Sequence, residues 1–127
     1  MRYVLSIALA LSAAGAMAAD VKVPVFVDGQ QITLTPSALM RAGRTYVPLR
    51  GGAAAIGGKV TWDGAKREAM VCVGDRCAVI KAAQGINVDG HLLIPLRLMG
   101  EALSCGVQWN AQSRAVMITR PHNSAFN

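Results

Sequence analysis

The segment Tyr46-Val47-Pro48-Leu49-Arg50 decides the fold, because it returns 47 residues later as Leu93-Ile94-Pro95-Leu96-Arg97. Three further pairs keep the same offset: Trp62 and Trp109, Arg67 and Arg114, and Met70 and Met117. A register kept over so many positions indicates an internal duplication. The two copies share no constellation of Ser, His, Cys, Asp and Glu, so the duplication repeats a shape and favours scaffold or binding work over catalysis.

Each copy of this segment predicts a short strand that leads into a helix. The residue before a proline is pushed out of the helical region, whereas the proline itself suits the first turn of a helix. We therefore expect one helix from Pro48 to about Ile56 and a second from Pro95 to near Ser104. Gly51 and Gly52 each cost roughly 1 kcal/mol against alanine inside a helix. The first helix should accordingly be the weaker or the more closely packed of the two.

Strand patterns surround both helices. Alternating apolar residues with turn residues between them predict four hairpins, at 23–34, 60–73, 71–80 and 107–119. The stretch from Thr35 to Gly43 is polar and interrupted by proline, and it predicts a loop with about one helical turn. The predicted fold class is α+β, with two tandem repeats at about 23–70 and 71–119. Each repeat holds a hairpin, a short strand, a helix and a hairpin, and together they form an antiparallel sheet curled against two helices.

The ends of the chain differ from the repeats. Residues 1–18 have the order of a secretory signal, with Arg2, an apolar run from Tyr3 to Ala14, and then Ala16-Met17-Ala18. The run is too short for a membrane span, which needs roughly 20 residues. We expect export to the periplasm or the cell exterior, with no stable membrane span after cleavage. Residues 19–120 then form a single duplicated domain, and the unpatterned tail at 121–127 is expected to be disordered.

The charge of the chain is basic. Without Arg2, 12 basic residues face 7 acidic ones, a formal charge of +5. Such a charge favours peptidoglycan or another anionic envelope polymer, or an envelope protein, as the partner; alternatively, it only keeps the protein soluble. Because the basic residues form no dense run and accompany no nucleic-acid motif, we predict no nucleic-acid partner.

Cys72 and Cys77 bracket a predicted two-residue turn, Gly74-Asp75. This turn places the two cysteines opposite each other at a non-hydrogen-bonded position of the hairpin, where side chains approach closely. We expect a disulfide, which suits an exported chain. A redox role is the alternative, although four intervening residues do not give the C-x-x-C spacing. Cys105 is left over and is expected to be a buried small apolar residue.

The repeated segments resemble a known family. Gly43–Arg50 followed by Ala53–Asp63 is similar to the pattern N-G-R-T-x-V-P-L-R, A-E-A-L-G-A-x-V-x-W-D of the copper amine oxidase N-terminal-like domain, a stalk domain. Asp89–Arg97 and Val107–Asn110 in the second copy are similar to it too. The resemblance implies an α+β stalk or accessory module on exported bacterial proteins. It does not imply amine oxidation, because that family's copper ligands and quinone-forming tyrosine lie in a separate catalytic domain.

Four repeated residues are the candidate binding residues: Arg50, Arg97, Trp62 and Trp109. Each arginine stands just inside a helix start, where the helix dipole disfavours a cation. It is held there either by a structural hydrogen bond or ion pair, or it contacts an anion on an envelope glycan or acidic protein. The tryptophans either cover the core beside a hairpin or offer platforms on which sugars stack.

We predict no catalytic residue, no metal site and no cofactor. The serines lack a G-x-S-x-G context. The predicted function is an exported, non-catalytic accessory or stalk-like domain that binds or spaces something in the cell envelope. The alternative is a periplasmic copper-handling protein, which requires exposed methionine and histidine side chains together. The candidates for that site are Met40, Met70, Met99, Met117, His91 and His122.

Overall fold

The computed structural model describes residues 20–121. The predicted signal peptide, residues 1–18, and residues 122–127 of the predicted tail lie outside the described residues. The strands are β1 (Val21–Val23), β2 (Val25–Val27), β3 (Gln30–Ile32), β4 (Ala38–Arg41), β5 (Arg44–Pro48), β6 (Lys59–Asp63), β7 (Glu68–Val73), β8 (Arg76–Lys81), β9 (Ile86–Val88), β10 (His91–Pro95), β11 (Gly106–Asn110) and β12 (Ala115–Thr119). The helices are α1 (Leu49–Ala55), α2 (Leu96–Leu103) and a short 3-10 helix (Ala82–Gln84).

Both α-helices lie where the proline pattern predicts them. Pro48 and Pro95 keep an extended ψ of 126° and 139° and directly precede α1 and α2. Each proline thus belongs to the end of a strand, and the helix begins at the next residue. Helix α1 ends before Gly57, whose φ of +87° suits a residue without a side chain. Ser104 takes the left-handed conformation after α2, with φ of +57°.

The strands form three sheets. The five-stranded sheet has the order β1-β4-β5-β10-β9, the four-stranded sheet β11-β12-β2-β3, and the three-stranded sheet β6-β7-β8. All pairs are antiparallel except β12 and β2, which run parallel with Val116 beside Val25 and Ile118 beside Val27. Strands β1 and β2 are separated only by Pro24, so the chain passes from one sheet to another at this residue.

The predicted α+β class is wrong. Strands make up 52% of the described residues and helices 18%, and the protein is mostly β. The two predicted repeats do not share one antiparallel sheet curled against two helices, since β6 and β7 belong to the three-stranded sheet and β11 and β12 to the four-stranded one. The physical reason is that two helices of 7 and 8 residues satisfy few backbone hydrogen bonds, so the rest of the backbone is satisfied by strand pairing.

The predicted loop from Thr35 to Gly43 is also wrong. Strand β4 occupies much of it and pairs with β1 on one side and β5 on the other. Ala38 and Leu39 of this strand are buried, with 0% and 5% of their surface exposed. Burial of these two residues against non-local neighbours therefore outweighs the polar, proline-containing context.

One hydrophobic core joins the three sheets and both helices. The helices approach each other closely at Gly52, where an added Cβ would overlap Met99 Cε and lie 3.0 Å from Val47 Cγ1. No polar or charged side chain is buried among residues 20–121. Within the same residues, no helix is long and apolar enough to cross a membrane. The core residues are Val23, Val25, Val27, Ala38, Val47, Leu49, Ala53, Ile56, Ala69, Val71, Ile80, Ile94, Leu96, Met99, Leu103, Cys105, Val116 and Ile118.

A cationic and aromatic cavity as candidate binding site

A cavity of about 380 Å³ lies between the start of α1, the β6–β7 hairpin and the β9–β10 turn. Its apolar lining comes from both helical and strand residues, including Leu49 and Val60. Its polar and aromatic lining consists of Arg50, Trp62, Arg67, Asn87 and His91. Among the residues that the structure describes, no carboxylate side chain lines this cavity. Its walls are therefore suited to a ligand that is anionic and partly apolar.

Arg50 is the second residue of α1 and is exposed. Its Nη1 donates a long hydrogen bond of 3.5 Å to the carbonyl oxygen of Val60 on β6. This backbone contact matches one of the two explanations predicted for a cation at a helix start. A guanidinium carries five N–H donors, so the remaining donors stay available to a ligand.

Trp62 lies on β6 opposite Ala69 of β7 and is 43% exposed. Its position depends on the turn that follows, because Asp63 Oδ1 accepts the N–H groups of Ala65 and Lys66 at 3.1 and 3.2 Å. In the Trp-Asp pair, the aspartate thus holds the loop while the tryptophan presents an open aromatic surface.

Arg67 closes the same loop, with φ of +52°. Its carbonyl oxygen accepts the N–H of Ala82 at 2.9 Å, which ties the β6–β7 loop to the 3-10 helix. On the facing wall, Asn87 Oδ1 accepts the N–H of Gly90 at 3.1 Å and holds the β9–β10 turn. Arg67 and Asn87 were not among the residues selected from the sequence, and His91 was considered there only as a copper ligand. Of these residues, only Arg67 could have been found through the repeated pattern, because it recurs as Arg114.

Arg50 and Trp62 line the same cavity, whereas Arg97 and Trp109 lie elsewhere. Arg97 is exposed and lines a separate depression with Arg44 and Pro95. Trp109 is half-buried and packs against the hydrophobic core. Neither residue lines the cavity around Trp62. Of the four candidate binding residues, one arginine and one tryptophan therefore line this cavity.

The cysteines lie outside the cavity. Cys72 and Cys77 form a disulfide across the β7–β8 hairpin, with their Cα atoms 4.0 Å apart. Their pairing directly beside the Val73–Arg76 pair is the position at which the turn was predicted to place them. Cys105 is buried, and its Sγ lies 3.8 Å from the carbonyl oxygen of Met99. Burial raises the pKa of the Cys105 thiol, which suits a core residue more than a reactive one.

The methionine and histidine candidates for a copper site lie in different surroundings. No group of three or more His, Cys, Asp or Glu side chains that could hold a metal occurs within residues 20–121. Met99 is fully buried in the core. Met70 is 48% exposed, but it alternates with Ala69 along β7 and so faces away from the cavity that His91 lines. His122 lies outside the described residues.

These features define a small β-rich domain with a preformed surface cavity. The family model described as the copper amine oxidase N-terminal domain matches residues 26–85, from within β2 to the end of the 3-10 helix region. This match supports the family that the P-L-R and W-D motifs resemble. The family is a non-catalytic accessory domain, and the match fits a stalk-like module. No curated protein and no solved structure matches the chain significantly.

Proposed function

We propose that this protein is an exported, non-catalytic accessory domain that binds an anionic polymer of the cell envelope. The observation that carries the proposal is the cavity in which Arg50, Arg67 and the exposed ring of Trp62 meet without any carboxylate in the lining. The expected polymer is peptidoglycan or another acidic glycan, with an acidic envelope protein as the other outcome of the test.

The charges of the site and of the whole chain support this partner. A basic protein attracts anionic polymers through a long-range field, and guanidinium groups then form directed, charge-assisted hydrogen bonds to carboxylates or phosphates. The chain carries 13 basic and 7 acidic residues. The long-range component is screened by salt, with a Debye length of about 10 Å at 0.1 M. Binding should therefore weaken as salt is added.

Two features support export. The first is the signal-like order of residues 1–18. The second is the disulfide between Cys72 and Cys77, because such bonds persist in oxidising compartments. Mass spectrometry of the protein recovered from the periplasm or the medium tests this part, and we expect a mature chain that begins at Ala19. Recovery of the uncleaved chain from the cytoplasm alone would contradict export.

A pull-down on purified peptidoglycan tests the binding function. The mature, oxidised protein is compared with Arg50→Ala, Trp62→Ala and the matched control Arg97→Ala, at low and moderate salt. We expect retention of the parent and of Arg97→Ala, and loss of retention for the two cavity variants. Far-UV circular dichroism checks that each variant is folded. Equal retention of all four proteins would contradict the cavity as the site, and no retention at low salt would contradict binding to this polymer.

A spacer without a ligand is the second candidate, supported by the match to a stalk-like family. A spacer needs only a stable fold and tolerates change at exposed residues. If the protein is only a spacer, neither the parent nor any variant should be retained in the same pull-down.

A further inference from the structure

We propose that the cavity binds one anionic sugar unit, with the ring against Trp62 and the acidic group between Arg50 and Arg67. This inference deepens the proposed function and rests on it. It names the chemical class that the site selects within an envelope polymer.

The size of the cavity limits the ligand. At about 380 Å³ it lies near the lower end of small-molecule sites, which span about 300–1,000 Å³. Such a site takes a single sugar ring with its substituents more readily than a long stretch of polymer or a folded protein. One sugar unit of the polymer would then enter the cavity, while the remaining units stay on the protein surface.

The two arginines select the charge of the ligand. They come from different elements, Arg50 from the first turn of α1 and Arg67 from the loop between β6 and β7, and both line the cavity. A planar guanidinium matches the paired oxygens of a carboxylate or phosphate better than an ammonium does. With no acidic side chain in the lining to neutralise them, the two cations favour an acidic substituent.

The other lining residues select a sugar rather than a bare ion. Trp62 offers a flat apolar surface at 43% exposure, on which the C–H face of a ring can stack. Leu49 and Val60 add further apolar lining to the cavity. His91 and Asn87 carry groups able to hydrogen-bond with hydroxyls. A simple inorganic anion would use the arginines and leave these surfaces unfilled.

Two tryptophans in the chain make a direct experiment possible, because each gives one indole N–H signal in a ¹H–¹⁵N spectrum. Trp62→Phe identifies the Trp62 signal, and the Trp109 signal serves as an internal control. The mature, oxidised protein is titrated with glucuronic acid, with glucose 6-phosphate and with neutral glucose. These probes share one ring and differ in the group at C6, which is a carboxylate, a phosphate or a hydroxyl.

We expect an acidic sugar to shift the Trp62 signal saturably and to leave the Trp109 signal in place. Because glucose lacks the charged group that the arginines would hydrogen-bond, glucose should bind about tenfold or more weakly than the preferred acid. Arg50→Ala should weaken acid binding by a similar factor, whereas Arg97→Ala should not. Preference for glucuronic acid indicates a carboxylate-bearing glycan, and preference for glucose 6-phosphate indicates a phosphorylated one.

Three results would overturn the inference: equal binding of glucose and both acids, a shift confined to Trp109, or no shift with either acid. The pull-down separates this failure from that of the proposed function. If peptidoglycan retains the protein through Arg50 while no acidic sugar shifts Trp62, envelope binding stands and the anionic-sugar assignment falls. If neither retention nor a shift occurs, both fall.

Discussion

Gly51 and Gly52 are neighbours in α1, yet we expect alanine at these two positions to have opposite effects on stability. A Cβ on Gly51 would lie 3.0 Å from Leu34 Cδ2, the end of a half-buried and flexible side chain. A Cβ on Gly52 would overlap Met99 Cε and lie 3.0 Å from Val47 Cγ1. Met99 and Val47 are both 0% exposed, so neither can move into solvent. The two helices therefore meet at a position that requires glycine.

The magnitudes follow from two opposing effects. Alanine is favoured over glycine by roughly 1 kcal/mol inside a helix. Since Leu34 can rotate aside, Gly51→Ala should raise the free energy of unfolding by about 0.5–1 kcal/mol. Overpacking a buried contact costs typically about 1–3 kcal/mol, which exceeds the helix gain. Gly52→Ala should lower the free energy of unfolding by about 1 kcal/mol, so the two variants should differ by about 2 kcal/mol.

Urea unfolding of the mature, oxidised chain, followed by tryptophan fluorescence, measures this difference at constant m. Adding Met99→Leu removes the thioether end that the new methyl group meets. The double variant Gly52→Ala/Met99→Leu should thus be more stable than the sum of the single effects predicts. If Gly52→Ala stabilises the protein as much as Gly51→Ala does, the close approach of α1 to Met99 is not the reason for the glycine.

Three further predictions concern single positions. Ala42 has φ of +51° in the two-residue turn between β4 and β5, so Ala42→Asn should stabilise the protein by about 1 kcal/mol in thermal melts; an unchanged or lower melting temperature would contradict this. Replacing Cys72 and Cys77 by alanine should cost about 2 kcal/mol or less in denaturant unfolding, because the closed loop is short; a much larger loss would show that the bond does more than close it. Burial raises the pKa of the Cys105 thiol, so iodoacetamide should modify it slowly in the native protein and quickly in urea, as measured by mass spectrometry; fast native modification would refute its burial.

The local structure was predictable because its causes lie within a few residues. Pro48 and Pro95 define where strands end and helices begin, and both helices lie at the predicted places. The turn at Gly74-Asp75 likewise places Cys72 opposite Cys77. The arrangement of the sheets was not predictable in this way. It depends on β12 pairing in parallel with β2, a strand near the other end of the described chain, and no local pattern encodes that choice.

The residues of the candidate site also fall into those that local motifs identify and those that only the tertiary structure brings together. The repeated motifs single out Arg50 and Trp62, and the Trp-Asp pattern explains the turn beside them. Arg67, Asn87 and His91 join the cavity only when the β9–β10 turn and the 3-10 helix fold against the first copy. Spacing in the sequence does not reveal that these residues are neighbours, since the contacts join segments that are distant along the chain.

The sequence by itself determined the places of both helices, the turn between Cys72 and Cys77 and the disulfide partners, and its motifs pointed to the family. Only the tertiary structure decided that the β6–β7 and β11–β12 hairpins belong to different sheets and that Trp62 and Trp109 differ in their surroundings. Trp62 stands at an open cavity opposite the β9–β10 turn, whereas Trp109 packs against the core. The physical reason is that turns and helix starts depend on neighbouring residues, while sheet partners and cavities depend on contacts between distant parts of the chain.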